Sequence, residues 1–379
     1  MYFGITGCVL AKDEENNILD CLNSFNGIAD STVVIDNGSA DQTAKLAQEY
    51  GANVYNIPMG IESELRNLYI QYTQTEWILV LDADERLYLT DSEKIYLFNS
   101  IHSKHAPDAF CLPIYNYYGD GKWSMYYKYV LFNKNSGVRY FETPIHPGLI
   151  VEKRHIDVLY FPIHHFDALL KERSIQKRIV YREKLQKTLS SNTQNYAKLA
   201  PLLAMEYIVA KQFDEAEKVL LVSLEKYSIE QPMTNLFLAY LLEQRGDYSS
   251  ASNIALKVLN FSTRKSIEGY RINAAAILTN THYKIGNVEK AIYYAHLGIS
   301  EFPLFAHNYI NLAFLLKDAN KILAKKYMEK ACILNPLLTN KKIYETGSVP
   351  NIYSFQSVFI DELSIKDLSY ELLNDDATL

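Results

Sequence analysis

The sequence predicts an α/β domain with a mostly parallel, doubly wound sheet, followed by an all-α domain of helical repeats. Three observations carry this. The apolar run Trp77 to Leu81 stops abruptly at Asp82-Ala83-Asp84-Glu85, as a strand buried on both faces does at the edge of a sheet. Shorter apolar segments before it alternate with helix-length amphipathic ones, the order that builds parallel sheets. Beyond residue 195, small residues return at intervals of about 34, the spacing of stacked helix pairs.

Ile5 to Lys12 reads as the first strand. Asp13-Glu14-Glu15 then open a helix with acids in its first turn, favourable at the positive end of the helix dipole; Ile18, Leu22 and Phe25 share its apolar face. Thr32 to Ile35 is the second strand, ending at Asp36-Asn37-Gly38. Ser39-Ala40-Asp41-Gln42 has the form of a capping box opening the next helix. Val54 to Ile57 makes a third short strand. The helix after it has Leu65, Leu68, Tyr69 and Tyr72 on its core face, which leaves Arg66 and Asn67 elsewhere. The Trp77 strand follows.

Open α/β sheets bind ligands beyond the carboxyl ends of their strands. Asp36, Asp82 and Asp84 would line one crevice there, with Arg66 nearby. Two acids at i and i+2 of an extended chain point the same way and repel each other unless a cation or a donor neutralises them. Mg²⁺ and Mn²⁺ take such oxygen ligands and usually share them with a substrate phosphate. Taken alone, Asp82-Ala83-Asp84 reads equally as a solvated acidic turn. No glycine-rich loop of the dinucleotide or P-loop type is present. Phosphate would then be held through metal rather than backbone amides, which suits a nucleotide-sugar and not a P-loop ATP.

A chain of 379 residues has room for two domains or more. Its 48% hydrophobic and 22% charged residues are an ordinary globular balance, and a net charge of −6 gives no general reason to expect nucleic acid as partner. Cys8, Cys21, Cys111 and Cys332 have neither zinc-site nor disulfide spacing. No apolar segment reaches membrane-spanning length and no signal peptide is legible, so a cytoplasmic protein is expected. Lys171 to Lys187 is a basic helical stretch, read as a solvated linker or as a peripheral patch for anionic lipid.

Tyrosine is abundant, 30 in all, and concentrated between Tyr115 and Tyr129 around Gly119-Asp120-Gly121. One reading is a hairpin with aromatic cross-strand pairs. The other is an acceptor platform on which Tyr117, Tyr118 and Trp123 would bind, since aromatic faces with polar tips suit sugars or peptides.

Four blocks occur in series: Leu10-Ala11-Lys12-Asp13-Glu14-Glu15-Asn16, Ile35-Asp36-Asn37-Gly38-Ser39-Ala40-Asp41-Gln42-Thr43, Arg66-Asn67 and Asp82-Ala83-Asp84-Glu85. Together they resemble the signature series of family 2 glycosyltransferases with the GT-A fold. The resemblance implies that Asp36 contacts the donor's base, that Asp82 and Arg66 approach the ribose or diphosphate, and that Asp84 coordinates Mn²⁺ or Mg²⁺. It implies a UDP-sugar donor such as UDP-glucose, and inversion by direct displacement. Similar enzymes carry a histidine followed by an aromatic residue, which His165-Phe166 matches, implying a metal or diphosphate contact for His165. They also carry His-Glu where this chain has His146-Pro147, so the catalytic base falls to Glu142 or to His146 itself.

Ala216, Ala251, Ala291 and Ala324 each begin the second helix of a helix pair, and Pro303 and Pro336 follow the last two such helices. This is the tetratricopeptide pattern, whose arrays present concave surfaces for peptides or for a second copy of the chain. A glycosyltransferase domain followed by such repeats is similar to bacterial enzymes that glycosylate bacteriocin peptides on cysteine or serine. The expected layout is a GT-A domain at 1–170, a basic linker at 171–194, repeats at 195–337 and a tail at 338–379. The expected acceptor is a peptide or protein side chain. The alternatives are a cell-surface saccharide or lipid-linked glycan, and an inactive domain serving as a repeat scaffold.

Overall fold

The structure, a computed structural model, describes all residues except 1, 3, 59, 120, 144–146, 153–154, 167–170, 192–195, 227–230, 261–269, 345–359, 361–363 and 374–379. It divides into two compact units. One comprises Met1–Tyr115 and Tyr127–Phe166, the other Asn116–Tyr126 and Asp167–Leu379.

The first unit is built on strands β1 (Ile5–Ala11), β2 (Ser31–Asp36), β3 (Asn53–Asn56) and β4 (Trp77–Asp82). They lie side by side in the order β3-β2-β1-β4, all parallel. Helices α1 (Ile18–Asn23), α2 (Thr43–Tyr50) and α3 (Glu62–Tyr72) make the crossovers. Beyond β4 the sheet turns antiparallel, because β7 (Lys122–Asn133) pairs β4 with Leu79 opposite Leu131. It continues through β6 (Ala109–Gly119) and β11 (Ile163–His165) to β5 (Glu85–Leu87). Helix α4 (Asp91–Ile101) follows β5, opened by a capping box between Thr90 and Glu93. Strand β10 (Ile156–Val158) pairs with β6, while β8 (Arg139–Phe141) and β9 (Gly148–Ile150) form a separate ribbon.

The unbroken apolarity of β4 follows from its two-sided burial. Trp77, Leu79 and Leu81 join a core with Val9, Val34, Ile18 and Leu22 of α1, and Phe25 just after it. Ile78 and Val80 join a second core with Cys8, Val33, Ile35 and Leu65 and Tyr69 of α3. Gly7 is required where the turn after α1 packs on β1, since a Cβ there would lie 2.7 Å from the Phe25 ring.

Two local expectations give way. Asp13 to Asn17 lie outside the helix: the Glu14 carbonyl accepts from the amides of Asn17 and Ile18, both at 2.9 Å, in a single turn, α1 starts only at Ile18, and Asp13 takes φ +54°, a conformation that aspartate tolerates. Likewise Ser39 to Gln42 make no capping box, and α2 starts at Thr43 without a side-chain cap. These polar residues bind the two loops to each other instead. Asp13 N–H donates to Ser39 Oγ (2.9 Å), Ala40 N–H to Asp13 Oδ1 (2.7 Å), Glu15 N–H to Asp41 Oδ2 (3.0 Å) and Gln42 N–H to Glu15 Oε2 (3.1 Å).

The second unit is helical. After α5 (Lys171–Ser191) come, among the described residues, four antiparallel pairs. They are α6 (Tyr196–Val209) with α7 (Phe213–Lys226), α8 (Pro232–Gln244) with α9 (Tyr248–Asn260), α10 (Tyr270–Lys284) with α11 (Val288–Glu301), and α12 (Ala306–Leu316) with α13 (Lys321–Leu334). Ala216, Ala251, Ala291 and Ala324 are fully buried at the contacts within the pairs. Gly298 serves the contact between α11 and α12, where any Cβ would collide with the Asn308 amide. The basic helix α5 packs on α6, with Arg178 paired to buried Glu206 at 2.7 Å. The tail contributes Ile343 and Ile360 to this core, and a last helix, α14 (Ile365–Leu373), buries Leu368 and Leu372.

The tip of the β6–β7 hairpin also belongs to the helical unit. Tyr117 OH donates to Asn335 Oδ1 (3.0 Å), His307 Nε2–H donates to Trp123 O (2.8 Å), and Gly121 N–H donates to Ile343 O (2.8 Å). Tyr117 and Trp123 are fully buried and Tyr118 nearly so, its hydroxyl against Ser124. This corrects the expectation that these three rings form an acceptor platform, because their faces are taken up by packing.

Candidate active site

Asp36, Asp82 and Asp84 come to the carboxyl edge of the sheet, but not to one face of it. In register, Asp36 stands beside Ala11 and Asp82 beside Leu10 of the strand between them. Neighbouring positions of a strand face opposite ways. Asp36 therefore falls on the α1 and α2 side, and Asp82 on the α3 side. Asp36 is fully buried and accepts from both the amide and the hydroxyl of Ser39.

Asp82 is gripped from two directions. Arg66 Nη2 reaches its Oδ1 at 2.7 Å and Lys128 Nζ reaches its Oδ2 at 2.7 Å. Burial pushes this carboxyl's pKa up, but Arg66 and Lys128 outweigh burial and hold it well below the usual range. Arg66 is buried, contrary to the helix face expected from the sequence, because α3 turns Leu65, Arg66 and Tyr69 inward. Glu62 accepts from Arg66 Nε at 3.0 Å, and the Tyr69 hydroxyl donates to that of Tyr140 at 3.1 Å. Asn67 closes this side by bonding both the N–H and the carbonyl of Tyr140, at 2.8 and 3.0 Å.

The chain turns at Ala83-Asp84, so Asp84 does not point with Asp82 as an extended i, i+2 pair would. Arg86 holds this turn: its Nη1 donates to the carbonyls of Ala83 and Glu85, both at 2.8 Å. Asp84 Oδ2 lies 3.4 Å from His165 Nε2 on β11, and Phe166 N–H donates to the Asp84 carbonyl. Glu85 accepts from Lys128 at 2.6 Å and from the Asp82 amide at 2.9 Å. Its pKa is raised by burial, with Lys128 opposing. Glu142 is exposed just past β8. His146 lies outside the described residues.

Sequence reasoning missed Lys128, Glu85 and Arg86. A lysine inside the strand Tyr126-Tyr127-Lys128-Tyr129-Val130 is itself a signal, since a cation in a largely apolar strand needs an acid.

Among the described residues, no group of three His, Cys, Asp or Glu side chains is placed to hold a metal ion. Asp84 offers a carboxylate, the kind of ligand that Mg²⁺ or Mn²⁺ takes, and His165 an imidazole, which suits Mn²⁺ better than the harder Mg²⁺; with so few protein ligands, water and substrate phosphate would complete the shell.

Fold and site together define the class: a GT-A-type α/β domain with acids at its strand ends, followed by tetratricopeptide-like helix pairs. The family model for glycosyl transferase family 2 matches residues 8–151, and the N-terminal domain is a domain of that family. An uncharacterised glycosyltransferase of Rickettsia typhi is 31% identical over 128 residues, 32% of this chain and 42% of that protein. A TPR repeat-containing protein of Synechococcus elongatus is 39% identical over 83 residues, 22% of this chain and 21% of that protein. The chain thus spans less than half the length of these curated relatives. Among solved structures, S. aureus TarS 1-349 aligns with a TM-score of 0.33 at 13% identity, covering 80% of this chain and 90% of that one. Among the described residues no helix is long and apolar enough to cross a membrane.

Proposed function

We propose that this protein is a metal-dependent inverting glycosyltransferase that moves a sugar from a UDP-sugar to a peptide or protein side chain. The observation that carries the reading is the charge at the strand ends. Arg66, Lys128 and Arg86 bring three positive charges, against five carboxylates on Asp20, Glu62, Asp82, Asp84 and Glu85. Even with Glu85 protonated the cluster is not positive, so a diphosphate would be repelled unless a cation came with it. Asp84 and His165 are the residues to hold that cation, which would supply positive charge to the departing diphosphate.

The chain's own groups do the rest in this reading. Asp36 receives the donor's base at the β2 end, and Arg66, steadied by Glu62 and Asp82, faces the phosphates. Glu142 or His146 takes the acceptor's proton as its nucleophile attacks the anomeric carbon. The paired helices offer an extended surface on which a peptide acceptor would lie. Burial of Tyr117 and Trp123 withdraws the aromatic surface on which a saccharide acceptor would have stacked.

Release of UDP from UDP-glucose and other UDP-sugars by the purified protein, with and without Mn²⁺, tests the reading. Slow hydrolysis that needs the metal is expected. No turnover of any nucleotide-sugar, with or without acceptor peptides, would leave the scaffold alternative in its place.

A further inference from the structure

Asp82, Asp84 and Glu85 follow one another closely in the chain, yet the structure treats them differently. Lys128 Nζ sits between Asp82 Oδ2 and Glu85 Oε1, at 2.7 and 2.6 Å. The remaining oxygens of that pair are also engaged, Asp82 Oδ1 by Arg66 at 2.7 Å and Glu85 Oε2 by the Asp82 amide at 2.9 Å. Asp84, turned away by the Arg86-held bend, meets His165 instead.

We propose that Lys128 is a resident cation, filling the position between Asp82 and Glu85 that a second divalent ion would otherwise take, and so confining the metal to Asp84. This rests on the metal-dependent reading above.

Placement favours it. The antiparallel register that sets Leu79 opposite Leu131, continued along the strands, sets Lys128 across from Asp82, as a cross-strand pair of opposite charge. Glu85 is 1% exposed, and an ionised carboxylate buried to that degree is costly without a partner. An ammonium is a compact point charge with three donors, suited to two oxygens that converge from different directions. Without it, those oxygens would converge on a gap. A hard divalent ion would close on them to roughly 2.0–2.2 Å and fill its other positions with water. Lys128 is therefore a positioning residue: it decides how many ions the acidic turn accepts and which carboxylate remains for the metal.

The test counts ions. Wild type, Lys128→Met, Lys128→Arg and the double variant Lys128→Met/Glu85→Gln are titrated with Mn²⁺, with and without UDP, following free Mn²⁺ by electron paramagnetic resonance. Lys128→Met is expected to bind one Mn²⁺ more than wild type. The arginine variant, which keeps a cation, and the double variant, which lacks one carboxylate, are expected to match wild type. Equal numbers in wild type and Lys128→Met overturn the proposal, as does an extra ion in Lys128→Arg. If wild type binds no ion and Lys128→Met binds one, the resident cation stands and the Asp84 metal site fails. If both bind one, the reverse holds. Should Lys128→Met be unfolded without metal, Mn²⁺ is expected to restore its cooperative melt, and failure to restore it counts against the proposal.

Discussion

His165 Nε2 lies 3.4 Å from Asp84 Oδ2, bringing the last strand of the α/β unit against the turn that follows its central one. A carboxylate and an imidazole meeting this way make two metal ligands or one structural contact. Asp84→Asn separates the two. The turn is held by Arg86 through backbone carbonyls, so the variant should melt within a few degrees of wild type. Turnover should fall by more than about 100-fold, and stimulation by Mn²⁺ should disappear. Activity near the wild-type rate would put the metal elsewhere.

Asp36 poses a similar choice, because Ser39 already occupies its carboxylate. If Asp36 also receives the donor's base, Asp36→Ala should weaken UDP binding by about 1.5–3 kcal/mol, the scale of a charge-assisted hydrogen bond. Titration calorimetry measures this. A variant that is less stable but binds UDP unchanged would show that the residue only shapes the turn after β2.

These two sites also mark what was legible in the sequence. β4 could be read because alternate residues feed two different cores, which demands apolarity at every position. The buried alanines of α7, α9, α11 and α13 could be read because close helix contact leaves room for little else. Arg66 was misplaced because periodicity ranks residues by hydrophobicity, and a cation can face inward when an acid waits there. Lys128 stood out as a cation in a largely apolar strand, but its partner was not legible, because the pairing with Asp82 needs the β4–β7 adjacency, which no local pattern gives. Trp123 and Tyr117 were misread because their cover comes from α12 and the segment after α13, far along the chain.

Two buried histidines set a pH dependence of stability. His164, beside the rings of Tyr88 and Tyr115, and His307, bonded to the Trp123 carbonyl, each have a pKa pushed down to about 3 by burial. The unfolded chain protonates its histidines near pH 6.5, while the folded chain does not until about pH 3. Between those values the unfolded state binds more protons, so stability falls as pH falls. Below pH 6 each histidine should cost about 1.4 kcal/mol per pH unit. Denaturant melts from pH 7 to 5 should show this slope, and His164→Phe should reduce it in the α/β unit. An unchanged slope would mean His164 titrates normally.

The acceptor can be tested without cutting the chain, and cutting it would mislead. Removing the helical repeats would uncover Tyr117 and Trp123 at the hairpin tip, and the exposed apolar surface would promote aggregation. Acceptor length is the cleaner variable. If the paired helices recruit a peptide, binding energy is spread along an extended surface remote from the reacting side chain. A peptide of about 25 residues should then have kcat/KM at least about 10-fold above that of a six-residue peptide with the same reactive residue. That ratio corresponds to about 1.4 kcal/mol of added binding. The gain should fall mostly in KM, because uniform binding lowers KM without raising kcat. A saccharide acceptor predicts the opposite pattern, with neither peptide serving and oligosaccharides accepting sugar. Equal kcat/KM for the long and short peptides would defeat recruitment by the repeats while leaving the transfer chemistry intact.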